Sequence, residues 1–346
     1  MNDISHAFPN PQYLGCKYRH LDWIGHYIPG GVSKVADGFA GSQSVSYFMK
    51  GKGYEVYAND FMNYSNQIGK ALIENSSDRL SDDDVQMLFS GNSNPEYYNL
   101  IETEFSDLFF SREDARLIDA FRSNVDRLNS EYKKALAFSI INRTLTRKIT
   151  MGHFAHTKAL SYANDADRIK RNASLARPIK DMFNEFLTEY NAAVFDNGRE
   201  NHSFCGDVMN FIEALPPVDM IYLDPPYVNS HPDYQGYYHL LETLVNYWKD
   251  KKFINSIHRY EPKIHSGFDT KKDIMASFGR LFLLSKKIPY WLISYNDRSY
   301  PDKKTILDMI EPYKRVEVIE KPYMNSVGGK GSVKGCNELL FICRPY

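Results

Sequence analysis

Two patterns of apolar positions divide this chain. Short apolar or alternating runs at Val32 to Asp37, Tyr54 to Ala58, His202 to Asp207, Val218 to Leu223, Trp291 to Asn296, Arg315 to Glu320 and Glu338 to Cys343 stop at turn formers or acids. Runs of that length and composition read as strands. From Phe61 to Arg199 strand character is nearly absent, and apolar residues recur at helical spacing, for instance at Leu117, Phe121, Val125, Leu128, Leu136 and Ile140. Further helices are expected from Leu21 to Ile28, from Ser44, from Val208 to Leu215 and from Leu240 to Trp248, while the acidic, Ser-rich stretch Asp78 to Ser93 is expected to be exposed. The expected fold class is α/β: residues 1–62 and 200–346 build one sheet domain, residues 63–199 form a largely helical insert, and the last two strands, joined by the Gly- and Ser-rich Met324 to Gly335, make a C-terminal β-hairpin.

The run from Val218 to Leu223 is broken only by Asp219 and halts at Asp224-Pro225-Pro226-Tyr227. Two prolines can neither donate backbone hydrogen bonds nor continue a central strand. A stiff loop with an acid at its carboxyl edge follows, which is where open α/β sheets place their ligands. The loop offers an acceptor side chain, carbonyls whose direction the prolines fix, and an aromatic face. A planar base bearing an amino group suits all three, its amine donating to Asp224 and the Pro225 carbonyl while its ring stacks on Tyr227.

Upstream, a strand ending at Asp37, a turn from Gly38 to Gly41, a helix opening at Ser44 and a strand ending at Asn59-Asp60 form a unit with an acid about 20 residues past the turn. Backbone donors at such a turn and a carboxylate for two ribose hydroxyls are the requirements of a nucleoside site. Asp207, ending a short strand, can cap the following helix. After Tyr227 a polar, aromatic loop is expected, carrying Asn229, His231, Tyr234, Tyr237 and Tyr238.

Composition changes the picture in one respect. The formal charge of -1 does not announce a nucleic-acid binder. Glu74 to Glu131 nevertheless holds 14 acidic against 5 basic residues, whereas Lys133 to Lys180 holds 11 basic against 2 acidic and Lys249 to Lys287 holds 10 against 4. Two basic blocks beside the Asp224 loop are what a phosphate-backbone footprint needs. Arg143, Arg147 and Lys148, clustered with Asn142, Thr144 and Thr146, are the expected DNA contacts. Four scattered cysteines lack metal or disulfide spacing, and His153 and His156 have no third ligand nearby, so no metal is expected. With no apolar signal core before Gln12 and no run long enough to span a bilayer, a cytoplasmic protein without a membrane is expected.

Asp224-Pro225-Pro226-Tyr227 resembles the DPPY motif of DNA adenine methyltransferases, and Asp37-Gly38-Phe39-Ala40-Gly41-Ser42 looks like their Asp-x-Phe-x-Gly-x-Gly cofactor loop, with Gln43 where the pattern has a second Gly. Tyr13 and Lys17 fall at the places of the family's methionine-binding segment, and Asp207 at its third cofactor motif. The order of these parts is that of the D12-class, Dam-like alpha group. The resemblance implies a Rossmann-like class I methyltransferase sheet with a target-recognition insert, S-adenosyl-L-methionine as cofactor, and Tyr13, Lys17, Asp37, Phe39, Gly41, Asp60, Asp207 and Asp224 as its binding residues. It further implies that Asp224, Pro225, Pro226 and Tyr227 act on the 6-amino group of an adenine flipped out of double-stranded DNA. The enzyme is expected to work as a monomer on DNA, within a restriction-modification system whose endonuclease cuts the same site.

No cysteine follows a proline, which excludes carbon-5 methylation of cytosine by the usual nucleophile. Amino methylation of cytosine or of RNA adenine stays open, as does a DNA-binding protein on a dead fold, for which Gln43 is the support. Because stacking uses the ring, Tyr227→Phe is expected to be milder than Tyr227→Ala.

Overall fold

A computed structural model describes residues 7–9, 12–227, 233–322 and 336–346. The strands are β1 (Lys34–Asp37), β2 (Glu55–Asp60), β3 (His202–Cys205), β4 (Met220–Leu223), β5 (Lys252–Ile254), β6 (Arg259–Glu261), β7 (Tyr290–Asn296), β8 (Arg315–Pro322) and β9 (Asn337–Arg344). All except β5 and β6 join one sheet in the order β3-β2-β1-β4-β7-β9-β8. Pairing is parallel from β3 to β7, and β9 runs antiparallel to both β7 and β8. All seven strands expected from the apolar runs are present, including the terminal antiparallel pair.

The runs of β1, β2, β4, β7 and β9 are mostly apolar because the middle of the sheet is buried on both faces, whereas the edge strands β3 and β8 are partly exposed. Met220 and Tyr222 of β4 enter one core, and Ile221 and Leu223 the other. Leu292 of β7 and Leu340 and Ile342 of β9 join the first core, whereas Trp291, Ile293, Leu339 and Phe341 join the second. Helices Val208–Ala214, Ile274–Ser285 and Lys303–Ile310 cover that second face. The first core continues without interruption into Phe121, Ile140 and Phe183 of the helical region. Residues 63–199 therefore share a core with the sheet. Their first helix, Asn63–Gly69, packs on β2 and β3 and serves the sheet directly.

From β1 the chain steps outward to β2 and β3, and from β4 it steps the opposite way to β7. The strand order thus reverses between β1 and β4. Loops leaving their carboxyl ends diverge and open a crevice, which places Asp37-Gly38 and Asp224 on its two walls.

Several elements differ from expectation. The helix expected from Leu240 runs from Tyr234 to Asn246 with a kink at Tyr238, whose backbone (φ -118°) is not helical, so Tyr234 and Tyr237 are helical. Asp233 caps it by accepting from the Gly236 N–H at 3.1 Å, and a polar-looking Tyr-Gln-Gly-Tyr-Tyr segment is held in this kinked helix by packing of its rings. Asn229, His231 and Met324 to Gly335 lie outside the described residues. Within Asp78 to Ser93, Ser81 and Asp84 form a reciprocal cap for helix Asp82–Leu88, whose Val85 and Leu88 are buried. Helix Ile274–Ser285 and the β5–β6 pair arise in the second basic block, where only charge had drawn notice.

Gln43 keeps the turn that the glycine pattern would make. Its φ is 65°, a left-handed conformation that costs a side-chain-bearing residue about 1 kcal/mol. The side chain points beneath the loop, with Nε2 3.4 Å from the Ser65 carbonyl, and takes no part in lining the cleft. Gly69 lies beneath it and against β3: a Cβ there would overlap Ser203 Oγ and lie 3.1 Å from Ser203 Cβ and 3.2 Å from Gln43 Cδ. Gly69→Ala is accordingly expected to destabilise the protein by about 1–3 kcal/mol, measured as a lowered urea midpoint at unchanged slope.

Candidate active site

The crevice between β1 and β4 is a cleft whose walls include Tyr13, Lys17, Asp37, Phe39, Gly41, Asp60, Asp207, Asp224, Pro225, Pro226 and Tyr227. Every residue expected to bind cofactor or to act on the target base therefore meets in one place. On the β1 side, the turn Gly38 to Ser42 is stapled to the end of β2. Asp60 accepts from the Gly41 and Met62 N–H groups, each at 2.8 Å, and the Ala40 N–H donates to the Asn59 carbonyl at 2.9 Å. Asn59 Nδ2 reaches the Gly38 carbonyl at 3.3 Å and the Gly206 carbonyl at 3.1 Å, tying this turn to the loop that carries Asp207. Asp207 accepts from the Met209 N–H at 2.9 Å, so it caps its helix and lines the cleft at once.

Gly41 is required by contact as well as by its φ of 50°. A Cβ there would sit 3.1 Å from the Tyr13 ring. Tyr13 in turn stacks between Tyr238 (5.1 Å, 12°) and Tyr234 (5.6 Å, 16°). Phe39 packs edge-on against Phe268 at 5.2 Å on the other wall.

On the β4 side, Lys17 Nζ lies 2.8 Å from Asp224 Oδ2, 3.3 Å from Glu338 Oε1 and 3.0 Å from the Tyr227 hydroxyl. That hydroxyl is also 2.8 Å from Asp224 Oδ1 and 3.0 Å from Glu338 Oε1. Burial works against the Lys17 charge, but Asp224 and Glu338 outweigh it and hold the ammonium well above its ordinary value. Lys17, expected to serve the cofactor, is thus bound to the acid of the tetrapeptide. Tyr227 uses its hydroxyl as well as its ring, so the mild outcome expected for Tyr227→Phe is replaced by a severe one. The sequence reading also missed Glu338. A lone acid opening an apolar strand was its only signal, and β9 alone of the apolar runs begins, rather than ends, at the active edge because it is antiparallel.

A family model of the D12 class of N6 adenine-specific DNA methyltransferases matches residues 13–306. The type II methyltransferase M2.HphI of Haemophilus parahaemolyticus is 32% identical over 345 residues, covering 97% of each chain. The type II methyltransferase M.CviAII of Paramecium bursaria Chlorella virus 1 is 24% identical over 89% of this chain and 90% of its own. This chain belongs to the D12 class. It is an adenine-specific DNA methyltransferase of the restriction-modification kind.

The methyltransferase's expected DNA contacts do not reach the cleft wall. Helix Glu131–Arg147 is largely buried. Arg143 lies over the Phe186 ring at 5.0 Å, and Lys148 binds Asp114 at 3.4 Å and the Arg177 carbonyl at 2.9 Å. The segment after it does approach the cleft: the Phe154 N–H donates to the Tyr237 carbonyl at 2.8 Å, and the His153 ring is 4.9 Å from that of Tyr237. Helix Ala166–Arg171, which has no buried residue and ends in Arg168, Lys170 and Arg171, continues this face. Among the described residues no helix is long and apolar enough to cross a membrane.

Burial raises the Asp37 carboxyl to about 7, against the opposing hydrogen bond from Ser46 at 2.7 Å, and raises Asp60 to about 6. A carboxyl raised in the folded state takes up protons on folding, so its contribution is fully present below about pH 4 and is lost as pH rises through about 7 for Asp37. In Asp37→Asn this loss disappears. The unfolding free energy of Asp37→Asn relative to wild type should therefore grow by a few kcal/mol between pH 4 and 8, read from urea midpoints across that range.

Proposed function

We propose that this enzyme transfers a methyl group from S-adenosyl-L-methionine to the exocyclic 6-amino group of an adenine flipped out of duplex DNA. The observation that carries the reading is the meeting, in one cleft, of a nucleoside-binding turn with its acid and the Asp224 to Tyr227 loop. The residues present fit the cofactor: the Asp60 carboxylate lines the cleft beside the Gly38 to Ser42 turn, and Asp37 Oδ1 is buried with no hydrogen-bond partner among the described residues. Tyr13, Phe39, Asp60 and Asp207 would hold it, Asp60 accepting from the ribose hydroxyls. When bound, it supplies an electrophilic methyl group on a positively charged sulfur.

An aromatic amine is a poor nucleophile because its lone pair is delocalised into the ring. Asp224 and the Pro225 carbonyl, by accepting its two hydrogens from outside the ring plane, make the nitrogen more tetrahedral and aim its lone pair at the methyl carbon. Catalysis then rests on positioning and on electrostatic stabilisation of developing positive charge. Flipping the base is needed because the amine is unreachable in the stack, at a cost of a few kcal/mol.

The DNA face we assign to the segment from Gly152 to Arg171 together with Arg147, with Lys158, Lys170 and Arg171 as phosphate contacts; residues 63–199 supply target recognition. The relatives' type II names favour a partner endonuclease cutting the same site; the proposal further has this enzyme working in the cytoplasm as a monomer on DNA.

Asp224→Ala should abolish transfer of labelled methyl groups to duplex DNA while leaving DNA affinity within about twofold, because phosphate contacts dominate affinity. Near-normal turnover would sink the assignment. Asp60→Ala should weaken cofactor binding in calorimetry, whereas Gln43→Gly should leave it intact. Replacing Lys158 or Arg171 with Ala should each lower the salt slope of DNA binding by about one, while Lys148→Ala should show up in stability instead. An affinity insensitive to Arg147, Lys158 and Arg171 at low salt would remove the segment from the DNA face.

A further inference from the structure

Glu338 is fully buried at the start of β9, and its Oε2 has no hydrogen-bond partner among the described residues. The groups facing it are Lys17 from the N-terminal segment, Tyr222 of β4, Asp224 and Tyr227 from the loop after β4, Asn296 opposite it on β7 and Lys321 opposite it on β8. With both carboxylates ionised, the cluster of Lys17, Asp224 and Glu338 would carry one uncompensated negative charge out of water, which is strongly disfavoured. The Tyr227 hydroxyl has one proton and two carboxylate neighbours, at 2.8 and 3.0 Å. Either the Glu338 side of that bridge lacks a proton or Glu338 supplies it. These atoms form a continuous path from the base-facing acid to a second, interior carboxyl group.

We infer that Glu338 receives, through Tyr227, the proton that the adenine amino group sheds on methylation. The inference rests on the reading of substrate and cofactor given above. As the nitrogen bonds to the methyl carbon and the carbon–sulfur electron pair returns to sulfur, the nitrogen becomes positively charged. It gives a proton to Asp224; Asp224 passes a proton to the Tyr227 oxygen, and the hydroxyl's own proton moves to Glu338 Oε1. The methylated amine ends neutral, Asp224 is again a carboxylate, and Glu338 is a neutral acid. For this Glu338 must start ionised. Burial pushes its carboxyl up to about 7, with Lys17 opposing and Asp224 reinforcing the rise. A cationic cofactor in the adjoining cleft favours the carboxylate, so loading the site should expel the proton that the reaction later returns. Glu338 touches neither substrate nor cofactor in this scheme. It is a positioning residue acting through Tyr227.

Two measurements on the full chain test this. Titration of S-adenosyl-L-methionine near pH 7 in buffers of different ionisation enthalpy counts protons released on binding. Because Asp37 and Asp60 also titrate near this range, the readout is the difference between wild type and Glu338→Gln. Wild type should release more, by a few tenths of a proton, and by linkage Glu338→Gln should bind the cofactor about two- to fivefold more weakly. In single turnover on DNA, Glu338→Gln should be about 100-fold slower and should lose the acid limb of the pH profile, as expected for loss of a positioned proton acceptor. Tyr227→Phe, which cuts the path while leaving Glu338, should show the same lost limb and keeps the test available if Glu338→Gln folds poorly. Equal proton release, or a slower rate with an unchanged pH profile, would overturn the inference and leave Glu338 a structural group. Wild type that bound no S-adenosyl-L-methionine, or methylated another base, would instead overturn the proposed function.

Discussion

An ammonium group out of water is tolerated only where carboxylates meet it, and the Lys17 charge imposes that condition on three distant parts of the chain. Removing such an ion from water costs several kcal/mol unless close partners offset it. Asp224 supplies one partner from the end of β4, and Glu338 the other from the beginning of β9. For both to arrive, the parallel half of the sheet must end, and the antiparallel half must begin, at the same edge. The strand order β1-β4-β7-β9 does this, and the stack of Tyr13 on Tyr238 brings the N-terminal segment across the top.

What the sequence made legible follows from this geometry. Central strands buried on both faces leave nearly unbroken apolar runs and the edge strands β3 and β8 shorter or alternating ones, so all seven are legible, and the residues at their carboxyl ends are expected to converge because open sheets bind ligands there. Asp60 and Asp224 are legible by that logic, Asp37 and Asp207 through the family resemblance. Glu338 is legible by neither, because its place depends on the register Asn296↔Glu338 across a strand pair separated by more than forty residues of chain, and no local pattern encodes a register. The tyrosines after Tyr227 were misjudged for a related reason: their polarity suggests a loop, and only their packing on Tyr13 shows why a helix wins.

Charge was the least transferable signal. The basic excess from Lys133 to Lys180 is real, but composition cannot say which members face inward. Lys148 answers Asp114, and Lys133 answers Asp84 at 2.7 Å, so part of the block neutralises the acidic stretch before it. Opposite blocks adjacent in sequence thus pack against one another across helices, and the outward surplus is concentrated farther along, toward Arg171. The near-zero net charge of the whole chain and a locally basic face are compatible for that reason.

The pairing of Gln43 with Gly69 bears on how this loop can change over generations. With glycine at 69 present, position 43 is free to exchange a glycine for a longer side chain, because the space beneath the turn exists. In the reverse order, enlarging residue 69 meets the rigid Ser203 Cβ as well as Gln43. One of the two positions therefore works as a ratchet pawl. Gln43 can be exchanged for glycine without a new contact, whereas Gly69, in a helix, is held in place by two neighbours, one of them on β3. A cofactor loop can drift from its family's signature while its fold is unchanged, provided the missing glycine has moved to the element underneath.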